Sequence, residues 1–298
     1  MCDTCGCSNP SAPARAEQTH DHSHSAGHER AHKHAHWQGD DQPHDHHHDH
    51  GHGHTHEHAA AHSYETVVVN QALLGANNRL AEQNRGAFRA LDMLALNVVS
   101  SPGSGKTTLL QATLNGLRGR LRCGVIVGDL ATDNDAMRLV GTGAPVVQIA
   151  TGTMCHLEAG MVTQALKKLD VRALDLLLVE NVGNLVCPAS FDLGEALRVV
   201  LLSVTEGEDK PLKYPPIFVS ADAVVMTKMD LETAAGFDRE AALRNIRQAS
   251  PKAELFQLSA KTGAGIETWC DYLVTARKKW LELASEEASA GDTAHPHD

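Results

Sequence analysis

Nowhere in its 298 residues does this chain hold a run of about 20 consecutive apolar residues, so no transmembrane helix is expected. An apolar leader core is missing too, which points away from secretion. Positive charge is in short supply: 26 Lys and Arg stand against 37 Asp and Glu, a net charge of −11. A chain with that balance is not expected to bind nucleic acid. No internal repeat is visible. Histidine is scarce after residue 62, where only three of the 20 occur, and the seven cysteines are an odd number that cannot all pair. These absences together predict a cytoplasmic protein whose thiols stay reduced and free to ligate metal.

What is present divides near residue 62. Before it the chain is poor in apolar residues, with 17 histidines between His20 and His62. Three basic and nine acidic side chains give this stretch −6 of the net charge, an excess that protonation of the histidines would remove. We expect residues 1–62 to be a disordered metal-binding extension, 63–284 to fold as one domain, and the acidic, small-residue-rich 285–298 to be a flexible tail. Cys2, Cys5 and Cys7, in CxxCxC spacing, can converge on one cation without a folded scaffold, the terminal amine offering a fourth donor. The histidine tract at 20–62 suits capture of several divalent ions by shifting ligand sets.

From Ser63 onward the composition is that of a globular domain. Apolar runs at 94–99, 123–128, 174–179, 197–204, 223–227 and 255–258 read as strands. Segments 65–90, 106–117, 156–169, 236–249 and 264–284 read as helices. Their alternation predicts a three-layer α/β fold with a mostly parallel sheet covered by helices on both faces.

The run Ser100-Ser-Pro-Gly-Ser-Gly-Lys-Thr-Thr108 joins the first of these strands to a helix. That is the place and composition of a phosphate-binding loop. Gly103 and Gly105 let backbone N–H groups, with those of Ser104 and Thr108, wrap an oxyanion; Lys106 can reach the terminal phosphates and Thr107 can ligate Mg²⁺. Ser100 stands where the usual pattern has its first glycine, a replacement that a turn tolerates less easily. Glu180 ends a later strand, where a carboxylate would lie near Mg²⁺, and the N–H of Gly183 could sense the γ-phosphate. Asp129, also at a strand end, could hold Mg²⁺ through water or orient the attacking water.

Two short patterns complete a nucleotide site. In Thr227-Lys228-Met-Asp230 the carboxylate can accept two hydrogen bonds from the edge of guanine, which adenine does not offer, while Lys228 braces the phosphate loop. In Ser259-Ala260-Lys261 backbone N–H groups can bond the guanine O6. Asp230 also fits a helix cap before Leu231, and Lys261 a solvated turn. Occurring together, in order, at strand ends, the patterns predict a GTP-hydrolysing enzyme that depends on Mg²⁺, with Lys106, Asp129, Glu180 and Gly183 at the chemistry.

A second metal set lies inside the domain. Cys155 and His156 precede the predicted helix 156–169, and Cys187 comes four residues after Gly183. Two thiolates and one imidazole suit nickel or zinc and lack one donor of a closed tetrahedral site. A segment that contacts the γ-phosphate rearranges on hydrolysis, so a ligand four residues downstream would move with it. Each cysteine also reads as a small buried hydrophobe.

From about residue 65 to 284 the chain resembles the hydrogenase nickel-incorporation GTPases of the HypB family. The resemblance is carried by Ser100–Thr108, Thr151-Gly-Thr-Met-Cys-His156, Glu180-Asn-Val-Gly-Asn-Leu-Val-Cys-Pro-Ala189, Lys213-Tyr-Pro-Pro216 and Ser259-Ala-Lys-Thr-Gly263. The N-terminal cysteines resemble a tight nickel site of some members, and the histidine tract the nickel-storage extension of others. The resemblance implies GTP hydrolysis that gates nickel delivery into the large-subunit precursor of nickel–iron hydrogenase, a homodimer, and a small nickel-binding accessory partner. It also implies a metal site of Cys155, His156 and Cys187 at or near the dimer interface. The urease nickel GTPase is similar in its nucleotide motifs but carries Cys-Pro-His; here Pro188 is followed by Ala189.

Overall fold

The computed structural model describes residues 57–129 and 134–292, with side chains within 71–128 and 135–283. A long helix α1 (Glu57–Ala90) leads into β1 (Leu94–Val99), α2 (Lys106–Gly116), β2 (Cys123–Asp129), α3 (Asn134–Val140) and β3 (Val146–Ala150). There follow α4 (Ala159–Leu166), β4 (Leu176–Glu180), β5 (Leu197–Ser203), the short helices α5 (Lys210–Lys213) and α6 (Pro215–Val219), and β6 (Ala223–Thr227). Helix α7 (Arg239–Ala249), β7 (Glu254–Gln257) and α8 (Ile266–Asp292) complete the fold.

The strands form one sheet in the order β3-β2-β4-β1-β5-β6-β7, every pair parallel. Strands β1, β4 and β6 are buried at every position, as largely apolar strands between two helical layers are. Alternation along β1 divides the core. Leu94, Leu96 and Val98 join Leu109 and Leu110 of α2 and Trp269 and Leu273 of α8. On the other face Ala95 meets Phe88 of α1 and Val162 of α4, while Val99 meets Phe218 of α6 and Ile246 of α7. Register sets Val98 and Val127 on either side of Glu180, and Ser203 beside Thr227. The carboxyl ends of the strands therefore open on one edge of the sheet.

The three-layer α/β expectation agrees with this arrangement, but several boundaries move. Strand β3 was not anticipated: it is short, half-buried over most of its length and at the sheet edge, so it carries no continuous apolar run. Helices α3, α5 and α6 are too short for a periodic signal, and prolines at first-turn positions start α5 and α6. The helix expected at 156–169 begins only at Ala159, with Glu158 extended before it, so Cys155 and His156 lie in the preceding loop. Helix α1 begins at Glu57, inside the expected extension, and the domain boundary drawn at residue 62 falls within it; Ala59, Ala60 and Ala61 are strong helix formers. For the same reason the Ala- and Glu-rich end of α8 continues to Asp292, past residue 285 where a flexible tail was expected. The cluster of Cys2, Cys5 and Cys7 and most of the histidine tract lie outside the described residues. Among the described residues no helix is long and apolar enough to cross a membrane.

Candidate nucleotide and metal sites

Between β1 and α2 the chain turns through Gly103 and Gly105, whose φ angles of 74° and 94° lie in the left-handed region that glycine enters without strain. Ser100 needs no such conformation, since it is not among the positive-φ residues. This explains how serine replaces the usual first glycine. Its buried hydroxyl donates to the Ser101 carbonyl at 2.7 Å and accepts from Lys106 Nζ at 3.0 Å. Thr107 and Glu180, both buried, meet through a 2.8 Å hydrogen bond from the threonine hydroxyl to the carboxylate. Two hard oxygen donors side by side at a phosphate loop fit Mg²⁺. A cavity of about 290 Å³ is lined here by Gly103, Gly105, Lys106, Thr107, Thr108 and Glu180, and also by Asp135, Arg138 and Lys228. The carboxylate of Asp129 lies outside the described side chains; its backbone ends β2 one strand away from Glu180.

Gly183 abuts the loop from the other side. A Cβ there would stand 2.9 Å from Pro102 Cα, so only glycine allows the approach. Thr227 donates to the Ser104 carbonyl at 2.7 Å, and Lys228, itself left-handed at φ 58°, donates to the Gly103 carbonyl at 2.6 Å. The bracing role read for Lys228 thus has a geometric counterpart. Next to it a cavity of about 170 Å³ is walled by Ser104, Gly105, Thr108, Thr227, Lys228, Asp230, Ala260 and Lys261, with Leu109, Leu231 and Leu258 as its apolar surface. The Ser259 hydroxyl donates to Asp230 at 2.5 Å, which orients that carboxylate at the mouth. All three nucleotide patterns therefore converge on one continuous cleft.

Sequence reasoning missed four neighbours. Glu206 accepts from Ser104 at 2.5 Å and Lys210 donates to Ser101 at 3.5 Å, both across more than a hundred residues. Asp135 and Arg138 reach the phosphate cavity from α3. None of these sits in a local pattern; a charged run after a buried strand, Glu206 to Lys210, is the only signal present.

The thiols and imidazole come together as the sequence suggested. Ligand atoms of Cys155, His156 and Cys187 all lie within 4.8 Å of one another. The Cys155 thiol donates to Cys187 Sγ at 2.8 Å, and His156 Nδ1 lies 3.8 Å from Cys155 Sγ. Hydrogen bonding to Cys187, with burial, pushes the Cys155 thiol up. Burial pushes His156 down, towards the neutral imidazole that metal ligation needs, and the carboxylate of Glu158 opposes that shift. Its Nε2 is buried without a hydrogen-bond partner, and Glu158 at 3.8 Å is too far to be one. The ring lies against Phe191, tilted by 32°, with centroids 3.8 Å apart. Three soft or borderline donors around one point, one of them an imidazole with an orphaned nitrogen, suit a nickel or zinc ion.

Residues 94–257 match the family model described as the CobW/HypB/UreG nucleotide-binding domain. The chain is 50% identical over 205 residues to the hydrogenase maturation factor HypB of Escherichia coli K12, covering 69% of this chain and 71% of that one. It is 51% identical over 209 residues to HypB of Azotobacter vinelandii, covering 70% and 69%. Among solved structures, HypB from Helicobacter pylori in complex with nickel superposes with a TM-score of 0.66 at 38% identity, over 68% of this chain and 96% of that one. HypB from Archaeoglobus fulgidus gives 0.64 at 41% identity, over 68% and 99%. On its cleft, its fold and these likenesses, the chain belongs to the HypB family of hydrogenase maturation factors.

Proposed function

We propose that this chain is a GTP-hydrolysing nickel metallochaperone that stores nickel and inserts it into the large-subunit precursor of nickel–iron hydrogenase. Gly103, Ser104, Gly105, Lys106, Thr107 and Thr108 hold the phosphates; Thr107 and Glu180 hold Mg²⁺, with Asp129 near it. The ion supplies charge neutralisation at the transferring phosphate. Asp230 selects guanine, supported by Thr227, Lys228, Ser259, Ala260 and Lys261. Nickel is the cargo, carried by Cys155, His156 and Cys187, donors that zinc also suits. Cys2, Cys5, Cys7 and the histidine tract capture it. The protein works in the cytoplasm as a homodimer, with a small nickel-binding accessory protein as its partner. The relatives' names and the nickel complex of the Helicobacter pylori protein support this destination and cargo.

One observation carries the reading. A single segment starts at Glu180, bonded to Thr107, touches Pro102 at Gly183, and ends at Cys187, 2.8 Å from Cys155. Nucleotide state and nickel affinity are then linked, and the linkage acts equally in both directions. Titration of nickel into the domain site should give different affinities with GDP and with a non-hydrolysable GTP analogue; equal affinities overturn the reading. Lys106→Ala should abolish hydrolysis and leave the hydrogenase without nickel, whereas a protein that merely stores metal would still support maturation.

A further inference from the structure

Between the nucleotide cleft and the thiols lies a set of buried amides that neither site requires for its own ligands. Asn97, in the middle of β1, and Asn181, just after β4, are essentially inaccessible to solvent. A buried amide costs a few kcal/mol unless its hydrogen bonds are made, so such residues stay in a core only with partners. Here the partners lead from one site to the other.

Asn181 Oδ1 accepts from the backbone N–H of Val182 at 2.9 Å and of Leu157 at 3.1 Å, the residue after His156. Both neighbours are obligate donors, which fixes the amide's orientation. Its Nδ2 donates to Asn97 Oδ1 at 3.2 Å, and Asn97 donates in turn to Glu195 at 3.1 Å. Glu195 accepts from Arg198 at 2.7 Å, and Arg198 donates to the carbonyl of Phe191, whose ring lies on His156. From the other side Asn184 donates to the Cys155 carbonyl at 3.2 Å, while its Oδ1 accepts from Val186. Cys155 and His156 are thus gripped at both ends by asparagines of the pentapeptide Glu180–Asn184.

We propose that Asn181 and Asn184 are positioning residues that carry the nucleotide state from Glu180 to the metal ligands Cys155 and His156. The inference rests on the coupling proposed above and names what transmits it. An amide bonded through both its oxygen and its nitrogen cannot swivel to absorb a shift. A displacement of Glu180 is therefore handed on to the loop that presents Cys155 and His156.

The test uses the full chain with Cys2, Cys5 and Cys7 replaced by Ala, so that thiolate-to-nickel charge-transfer absorption reports the domain site alone. Nickel affinity is measured with GDP and with a GTP analogue, together with the melting temperature. Asn184→Asp keeps the bond from Val186 but replaces the donor to the Cys155 carbonyl with an acceptor oxygen; Asn181→Asp does the same towards Asn97. The ratio of the two affinities should shrink by about fivefold in each variant, the weight of one hydrogen bond, and the absorption bands of the two nucleotide states should converge. If the parent shows a ratio and both variants keep it, the asparagines do not transmit and the inference falls while the coupling stands. If the parent shows no ratio, the coupling itself fails. Asn184 is only partly buried, so it decides the matter even if Asn181→Asp does not fold.

Discussion

Gly183→Ala isolates the contact between the phosphate loop and the segment leading to Cys187. The added methyl would sit 2.9 Å from Pro102 Cα, 3.1 Å from its N and 3.2 Å from its Cγ. Ordinary contact begins at 3.4 Å, so the two segments must separate by 3.4 − 2.9 = 0.5 Å. Two of the three clashing atoms are backbone, which cannot rotate away as a side chain would. Overpacking of this kind costs about 1–3 kcal/mol. Its chemical effect is larger than its size suggests, because misplacement by about 1 Å can cost a hundredfold in rate. Half that displacement predicts about a tenfold fall in kcat for GTP hydrolysis, with a lowered melting temperature. The control is Gly86→Ala: that glycine is exposed on α1 with nothing within 4 Å of the added carbon. In a helix the change should stabilise by about 0.5–1 kcal/mol and leave turnover alone. Single-turnover hydrolysis and calorimetry of both variants decide the question. Wild-type turnover and melting in Gly183→Ala would refute the contact.

Three further outcomes are expected. Asp230→Ala removes a carboxylate placed to receive two donors, each such charged hydrogen bond being worth about 1.5–3 kcal/mol; GTP affinity should fall at least tenfold, as read by fluorescent nucleotide titration, with ATP affinity unchanged. Asp175 is held at about 2 by its hydrogen bonds to Arg122, with Arg277 also beside it. A carboxyl lowered in the folded state stabilises at neutral pH, and that contribution is lost as pH falls from about 4 towards 2. Because Arg122 is largely solvated, Asp175→Asn should cost only about 1 kcal/mol at pH 7 and progressively less as pH falls through about 2, measurable by urea denaturation across that range. Finally, a chain beginning at His56 should retain GTP turnover but bind fewer nickel equivalents in equilibrium dialysis; loss of turnover would show that the extension serves the enzyme directly.

Strands β1, β4, β5 and β6 were legible because both of their faces are buried, so they read as runs dominated by apolar residues even with Asn97 and Arg198 inside them. Edge strand β3 escaped because solvent on one side lets Gln148 into it, and α5 and α6 because one turn has no period. The same division holds at the cleft. Gly103 to Thr108, Thr227 to Asp230 and Ser259 to Lys261 each need contiguous residues to surround one chemical group, and contiguity is visible in a sequence. Glu206, Lys210, Arg138 and the amide chain through Asn97 act across the fold, where only the sheet's strand order brings them into reach.

Helix α8 starts beside the Ser259 loop and descends to the opposite end of the sheet, where Arg277 reaches the carbonyl of Asp92 and the side chain of Asp175. Handles placed around exposed Leu283 would therefore leave the nucleotide mouth facing away from any support or dye. Immobilising the molecule through that end gives a biosensor whose analyte has an unobstructed approach, whereas anchoring near Lys261 would screen it.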